Sequence, residues 1–353
     1  IRGGRIDESM FIVDGFSVKD PLSGYSGNLF VNADAIEELE IVTGGYNPEY
    51  GQAMSGVVNI KLKEGKDRYE GAIKFSSDRL FSENFNTDRF EFNLGGPDLF
   101  FQSLPKTFGI DLPGNFSFFL NGYGKIYDGN LPVADNLHPH RYWTSPFFSN
   151  ENIDSFLKKL ASRENNDWHM LYKMTWSLSP QKKFFISYDA SMNINQGYYM
   201  PRAFSSTYFP YRYMNILDNY NTITRDTRLL NLNWTHTLST RSFYEITLGQ
   251  FNTMEHSSVL DRLWTEYKER LDLEPINYNV DNTDLDGNIF ITYGDEFYDT
   301  GFAPEWYDLS SENTRLDVDW TLHTKSGHKL KTGYEHTITK IQVLDIDEPW
   351  SGS

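Results

Sequence analysis

The chain has 353 residues, a formal net charge of −17 and no cysteine, so disulfides and thiolate metal sites are excluded. So acidic a balance also argues against nucleic acid as a partner, because phosphates need a basic surface. Aromatic residues reach 16%, yet mean hydropathy is −0.54 and no apolar run approaches the roughly 18 residues of a membrane-spanning helix.

Residues 1–66 are glycine-rich and mix short apolar segments with turn signals. Strands are expected at 10–13, 39–42 and 56–62, with one helical turn over 33–38. Gly44-Gly45, Asn47-Pro48 and Tyr50-Gly51 mark turns, as does Asp14-Gly15. The segment reads as a small α+β unit, joined to the remainder by the polar stretch 63–68.

From residue 69 onward the period is two, the period of a strand. Weak strands are expected near 69–76, 88–95 and 115–124. Stronger ones follow. Trp168, Met170, Tyr172, Met174, Trp176 and Leu178 alternate with His169, Leu171, Lys173, Thr175 and Ser177. A turn at 179–182 leads into Phe184, Ile186, Tyr188, Ala190 and Met192, which alternate with Lys183, Phe185, Ser187, Asp189 and Ser191. This is a hairpin with one apolar and one polar face. The unit recurs with strands over 228–238 and 314–323 and their returns through Leu248 and Ile338, for about nine strands in all.

The connections bear on the architecture. Tight turns alternate with long links over about 125–167, 194–226, 253–312 and 340 onward. Links of that length are rare inside a compact soluble domain. They are usual in transmembrane barrels, whose periplasmic turns are short and extracellular loops long. The expected fold is therefore an all-β membrane protein: an antiparallel transmembrane β-barrel, here partial, preceded by the small α+β unit. A soluble β-sandwich, including a β-rich enzyme, is the alternative. The boundary between the two parts falls at 66/67.

The motifs of the first 65 residues resemble those of the plug of TonB-dependent outer-membrane receptors. They are, in order, Arg2-Gly3-Gly4-Arg5, Phe11-Ile12-Val13-Asp14-Gly15, Asp20-Pro21, the run 35–45 ending in Gly44-Gly45, Glu49-Tyr50-Gly51, and the run from Ser55-Gly56 to Lys63. The likeness is to receptors with a carboxypeptidase-regulatory-like N-terminal domain. The Lys-Asp-Ala segment of many glycan receptors is absent after Ile41-Val42, which lowers glycan import as a reading. The resemblance implies a plugged barrel of about 22 strands, of which the chain carries about nine and the C-terminal part of the plug. A TonB box, the first part of the plug and the distal strands are expected to lie outside these 353 residues. It further implies a bacterial outer-membrane location, surrounding lipid and lipopolysaccharide, and energy-coupled uptake of a scarce small solute driven by the TonB–ExbB–ExbD complex. No covalent chemistry is implied. A non-transporting anchor or docking protein for surface proteins is the rival, and a surface lipoprotein is a further candidate partner. Arg2 and Arg5 are expected to pair with lumen carboxylates such as Glu70 or Glu91, since a buried guanidinium needs a fork partner.

Site signals elsewhere are sparse. Gly24-Tyr25-Ser26-Gly27-Asn28 misses a nucleophile elbow, which needs glycine at 28. His138-Pro139-His140 offers two imidazoles without an identifiable third metal ligand at zinc-site spacing. Between 251 and 313 fifteen acids face three bases, most of the net charge. Within that segment Asn282-Thr283-Asp284-Leu285-Asp286-Gly287 mimics the start of a calcium loop, with Asp284 and Asp286 as candidate ligands, against the plainer reading of a hydrophilic turn. Tyr198, Tyr199, Tyr208 and Tyr211 are candidates to line a ligand vestibule by stacking, or else to pack one loop on another.

Overall fold

The computed structural model describes residues 9–22, 29–43, 55–80, 84–128, 134, 137–140, 164–196, 213, 215–267, 272–273, 298–303 and 305–349. Its first four strands are β1 (Ser9–Val13), β2 (Phe16–Ser17), β3 (Ile36–Val42) and β4 (Gly56–Leu62). They form a mixed sheet in the order β2-β1-β4-β3, with β1 and β4 parallel. The expected helical turn is shorter than the sequence suggests. Only Ala33–Ala35 form a 3-10 turn, capped by Asn32 Oδ1 accepting from Asp34 N at 3.1 Å. Ile36–Glu38 belong instead to β3, because pairing with β4 outweighs their weak helix propensity.

The remaining long strands make one antiparallel sheet. They are β5 (Glu70–Ser77), β6 (Asp88–Pro97), β7 (Asn115–Tyr127), β8 (Asn165–Ser179), β9 (Lys182–Asn195), β10 (Thr222–Ser239) and β11 (Ser242–Ser258). After the short pair β12 (Asp272–Leu273) and β13 (Tyr298–Thr300) come β14 (Glu305–His323) and β15 (Lys329–Asp347). The nine strands of the large sheet pair strictly with their neighbours in sequence. β5 and β15 are its two edges and do not pair with each other among the described residues.

Two features differ from expectation. Strands β10, β14 and β15 run to 18 or 19 residues, well past the alternation that marks them in sequence. About ten residues suffice to cross hydrocarbon, and beyond it neither face must be apolar, so the pattern fades while the ladder continues. Between β6 and β7 stands a helix, α1 (Leu99–Thr107), where a link was expected. Asp98 Oδ1 caps it by accepting from Phe100 N and Phe101 N at 3.0 and 3.1 Å. Its nine residues, with Pro105 among them, are too few to show a helical period.

The two faces of the large sheet are chemically distinct. Odd positions such as Leu171, Lys173, Ser187, Leu229 and Phe251 are buried under the small sheet. Even positions such as Met170, Tyr188, Leu248 and Trp320 point away from it and are exposed. Along β10 and β14 the outward apolar set (Leu230, Leu232 and Trp234; Leu316, Val318 and Trp320) stops at ion pairs. Asp226–Arg228 at 2.9 Å and Glu312–Lys340 at 2.8 Å mark that edge. An apolar band bounded by charge is the surface a bilayer requires. Single-cysteine nitroxide labels, simple to place in a chain without cysteine, are expected to report opposite environments at neighbouring sites. A label at Tyr188 should collide with a lipid-soluble relaxant and one at Ser187 should not; equal accessibility would contradict the assignment of faces.

Candidate functional site

The small sheet is seated on the large one by three kinds of contact. The first is apolar. Val13, Phe16, Val18, Leu29, Ala35, Ile60 and Leu62 share one core with Phe119, Leu171, Leu229 and Phe251 of the large sheet. Phe16 is fully buried, and a β-carbon added to Gly249 would come within 2.3 Å of its ring. Gly249 is therefore the recess that admits the ring.

The second contact is ionic and centres on the β1–β2 turn. Asp14 and Gly15 both have positive φ, 47° and 84°, as a two-residue hairpin of the primed type demands. The turn points Asp14 at the large sheet, where its Oδ2 accepts from Lys173 Nζ at 2.8 Å. Asp14 Oδ1 accepts from Leu62 N at 3.0 Å, and Asn231 Nδ2 donates to Asp14 O at 3.0 Å. Lys173, almost fully buried, also reaches Glu64 at 3.3 Å and lies over the Phe185 ring. Burial pushes the Asp14 carboxyl up, and Lys173 pulls against that rise. For Glu64 burial also raises the pKa, but Lys173 and Lys183 together outweigh it and hold the carboxyl below its ordinary value. A depressed carboxylate contributes stability that is complete above its unfolded pKa and is lost as pH falls through its folded one. Glu64→Gln is thus expected to flatten the loss of stability below about pH 4.5. Melting of variant and parent across pH 3–6 checks this, and parallel profiles would refute it.

The third contact anchors the segment after β2. Asp20, buried, accepts through Oδ1 from Ser311 Oγ at 2.8 Å, Thr253 Oγ1 at 3.2 Å and Leu22 N at 3.1 Å. Further along, Phe30 stacks near Tyr123 and against the edge of His169, with ring centroids at 4.8 and 5.4 Å. His169 is itself bonded to buried Asp189 at 2.9 Å.

Two cavities lie on either side of this seat. One, of about 460 Å³, opens among the strand ends that adjoin the long connections and is lined by Asp20, Leu22 and Phe30 together with Tyr123, Trp168, Arg225 and Glu255. Arg225 and Glu255 pair there at 2.7 Å, and Tyr307 donates to Glu255 at 2.8 Å. The other, of about 910 Å³, lies among the strand ends that adjoin the short turns. It is strongly charged, with Lys61, Glu245, Arg315, Asp317, Lys331 and Glu335 on its walls. Asp14 and Lys173 line the second cavity, and Phe16 meets β11 at Gly249, between Thr247 of that cavity and Thr253 of the first.

A small mixed sheet seated on the inner face of an up-and-down membrane sheet is a specific arrangement. No family model matches the chain. Over 73 residues it is 32% identical to the TonB-dependent transporter Oar of Myxococcus xanthus, a stretch covering 21% of this chain and 7% of that protein. The ferripyoverdine receptor of the Pseudomonas aeruginosa outer membrane superposes with a TM-score of 0.54 at 13% identity, covering 98% of this chain and 37% of that one. The outer-membrane transporter YddB of Escherichia coli gives 0.45 at 12% identity, over 96% and 45%. The fold is that of a TonB-dependent outer-membrane receptor. The relatives it resembles are receptors and transporters rather than enzymes, and the chain spans well under two thirds of their length.

In such a fold the place of the small sheet is that of the plug, and the place of the large sheet is that of the barrel wall. Among the expected plug residues, Asp14 and Gly15 form the turn that meets Lys173, and Gly56 opens β4 opposite Ser9. Arg2, Gly3, Gly4, Arg5, Gly44, Gly45, Tyr50 and Gly51 lie outside the described residues. So do the candidate calcium ligands Asp284 and Asp286, the vestibule tyrosines 198, 199, 208 and 211, and the near-elbow at 24–28. The carboxylates expected to meet Arg2 or Arg5 already have cations: Glu70 has Lys66 and Arg68, and Glu91 has Arg89 and Lys74. Asp20 is quoted in the sequence motif, but its bonds to Thr253 and Ser311 are separated by more than 230 residues and leave no local signal. Phe30, Tyr123, Arg225 and Glu255 are equally invisible, since each looks like an ordinary strand or loop residue.

Proposed function

We propose that this chain supplies the plug seat and one side of the wall of an energy-coupled importer for a small solute, with residues 1–66 as plug and 67–353 as wall. The observation that carries the reading is the pair of cavities on either side of the plug seat. A solute resting in the outer cavity would meet aromatic faces from Phe30 and Tyr123 and a charged pair from Arg225 and Glu255. Passage to the inner cavity requires the plug to leave its seat, which is work the TonB–ExbB–ExbD complex is suited to supply through the plug. The named relatives bear out this class of activity for themselves: Oar is a TonB-dependent transporter, and the Pseudomonas receptor binds ferripyoverdine.

Native mass spectrometry of the whole receptor purified from its own membrane is expected to reveal a co-purifying small solute. Phe30→Ala and Tyr123→Ala should each weaken its retention by roughly tenfold or more, as truncated aromatic contacts do. Cells lacking TonB should bind that solute at the surface without accumulating it. Accumulation that is indifferent to TonB, or retention that is indifferent to both substitutions, would overturn the reading.

A further inference from the structure

Away from the plug, the two-histidine motif left unpaired in the sequence acquires partners. His140 Nδ1 lies 3.0 Å from Asp261 Oδ1, and His256 Nε2 lies 3.9 Å from the same oxygen. All three residues are buried, and one donor atom from each falls within 4.8 Å of the others. From these residues the geometry points to a site for one divalent transition-metal ion of the zinc class, held by His140, His256 and Asp261 at the outer rim of the wall.

The donor set is the first argument. Two imidazoles and a carboxylate suit borderline ions such as Zn²⁺, whereas Mg²⁺ and Ca²⁺ prefer oxygen throughout. Ligand bonds of about 2.0–2.1 Å in a tetrahedron set ligand atoms roughly 3.3 Å apart, and the observed 3.0 and 3.9 Å bracket that spacing. The imidazoles lie face to face, 3.9 Å between centroids and 25° between planes, so a modest ring rotation is needed to aim both at one point.

Preorganisation is the second. His138 N and His140 N donate to Thr222 Oγ1 and Thr224 Oγ1 at 3.2 and 3.0 Å, which fixes the 137–140 segment on β10. His256 sits directly across the ladder from Thr224 and, on its other side, from Asp308, which places a second carboxylate on the same face. Asp261 is delivered by a turn in which Leu260 and Asp261 both hold positive φ, 55° and 52°. Non-glycine residues adopt that conformation at a cost, and two in succession need support from their surroundings. Here it comes from the packing of Val259, Tyr267, Phe302 and Trp306, which also shields the site from water.

The third argument is polar bookkeeping. His256 Nε2, the ring nitrogen that faces Asp261, has the Ser258 hydroxyl at 3.1 Å as its hydrogen-bond partner, a contact that an ion could displace. A neutral imidazole nitrogen is a common ligand for such an ion. A bound ion would clip the connection before β8 to the connection after β11, ordering the receptor's outer rim.

Isothermal titration of the whole, tag-free, detergent-solubilised receptor with Zn²⁺ after chelator treatment is expected to show one equivalent per chain, undisturbed by millimolar Mg²⁺ or Ca²⁺. His140→Ala and His256→Ala should each weaken that binding at least tenfold and abolish the zinc-induced rise in melting temperature. Co²⁺ in place of Zn²⁺ should give the strong visible absorption of a tetrahedral site, and X-ray absorption should show imidazole scattering at about 2.0 Å. The spectra need only the unaltered receptor and so decide the matter even where a variant fails to fold. Substoichiometric binding, a six-coordinate cobalt spectrum, or equal affinity in folded His140→Ala and His256→Ala receptors would overturn the site.

Discussion

Replacing Lys173 by methionine is expected to loosen the plug from the wall, at a cost of about 3–5 kcal/mol, the usual penalty for stranding one half of a buried ion pair. Methionine keeps most of the volume and the contact with Phe185, so the effect isolates the charge. Asp14 would then lie buried with its carboxylate held by Leu62 N but by no cation, and Glu64 would depend on Lys183 alone. Limited proteolysis of the plug and bilayer conductance of the whole receptor read the outcome: faster cleavage and more frequent opening. Adding Asp14→Asn should recover much of the loss, because no charge then stays buried and asparagine tolerates the positive φ at 14. Equal protease resistance in Lys173→Met and parent would show that the pair does not hold the plug.

How far the sequence foretells this seat can be judged residue by residue. The strands of the wall are legible because lipid on one face imposes alternation over about ten residues. Which polar-face residues meet the plug is not. Leu171, Phe185, Leu229 and Phe251 interrupt the polar set at odd positions, and each looks like an imperfection in the alternation until the plug is placed against them. Lys173 looks like one more lumen lysine; its partner lies 159 residues earlier. The plug is legible for a different reason. Its Asp14-Gly15 turn and glycine-marked motifs are local, since only glycine and a few polar residues accept those backbone angles. The His140–His256–Asp261 cluster shows the same division: the first histidine stands in a visible pair, but the ladder alone brings the other two donors to it. Local backbone demands are written locally, whereas contacts between sheets depend on a register that no short stretch records.

The largest steric effect is expected where Phe16 enters the recess at Gly249. Phe16→Ala removes a fully buried ring from the plug–wall core and should cost about 3–5 kcal/mol, transfer and cavity together. Gly249→Leu attacks the same contact from the other side. Its β-carbon alone would stand 2.3 Å from Phe16 Cδ2 and 2.5 Å from Cε2, against a ring that is fully buried. Overpacking of this kind costs roughly 1–3 kcal/mol where neighbours can shift, and more where they cannot. The informative experiment is the pair together. In Phe16→Ala/Gly249→Leu the new side chain occupies the space the ring vacates, so the double variant should be less destabilised than the two single losses summed. Plug protease resistance and receptor melting should both show that recovery. Strict additivity would mean that the ring and the glycine do not meet, and the plug would then have to sit on the wall in another register.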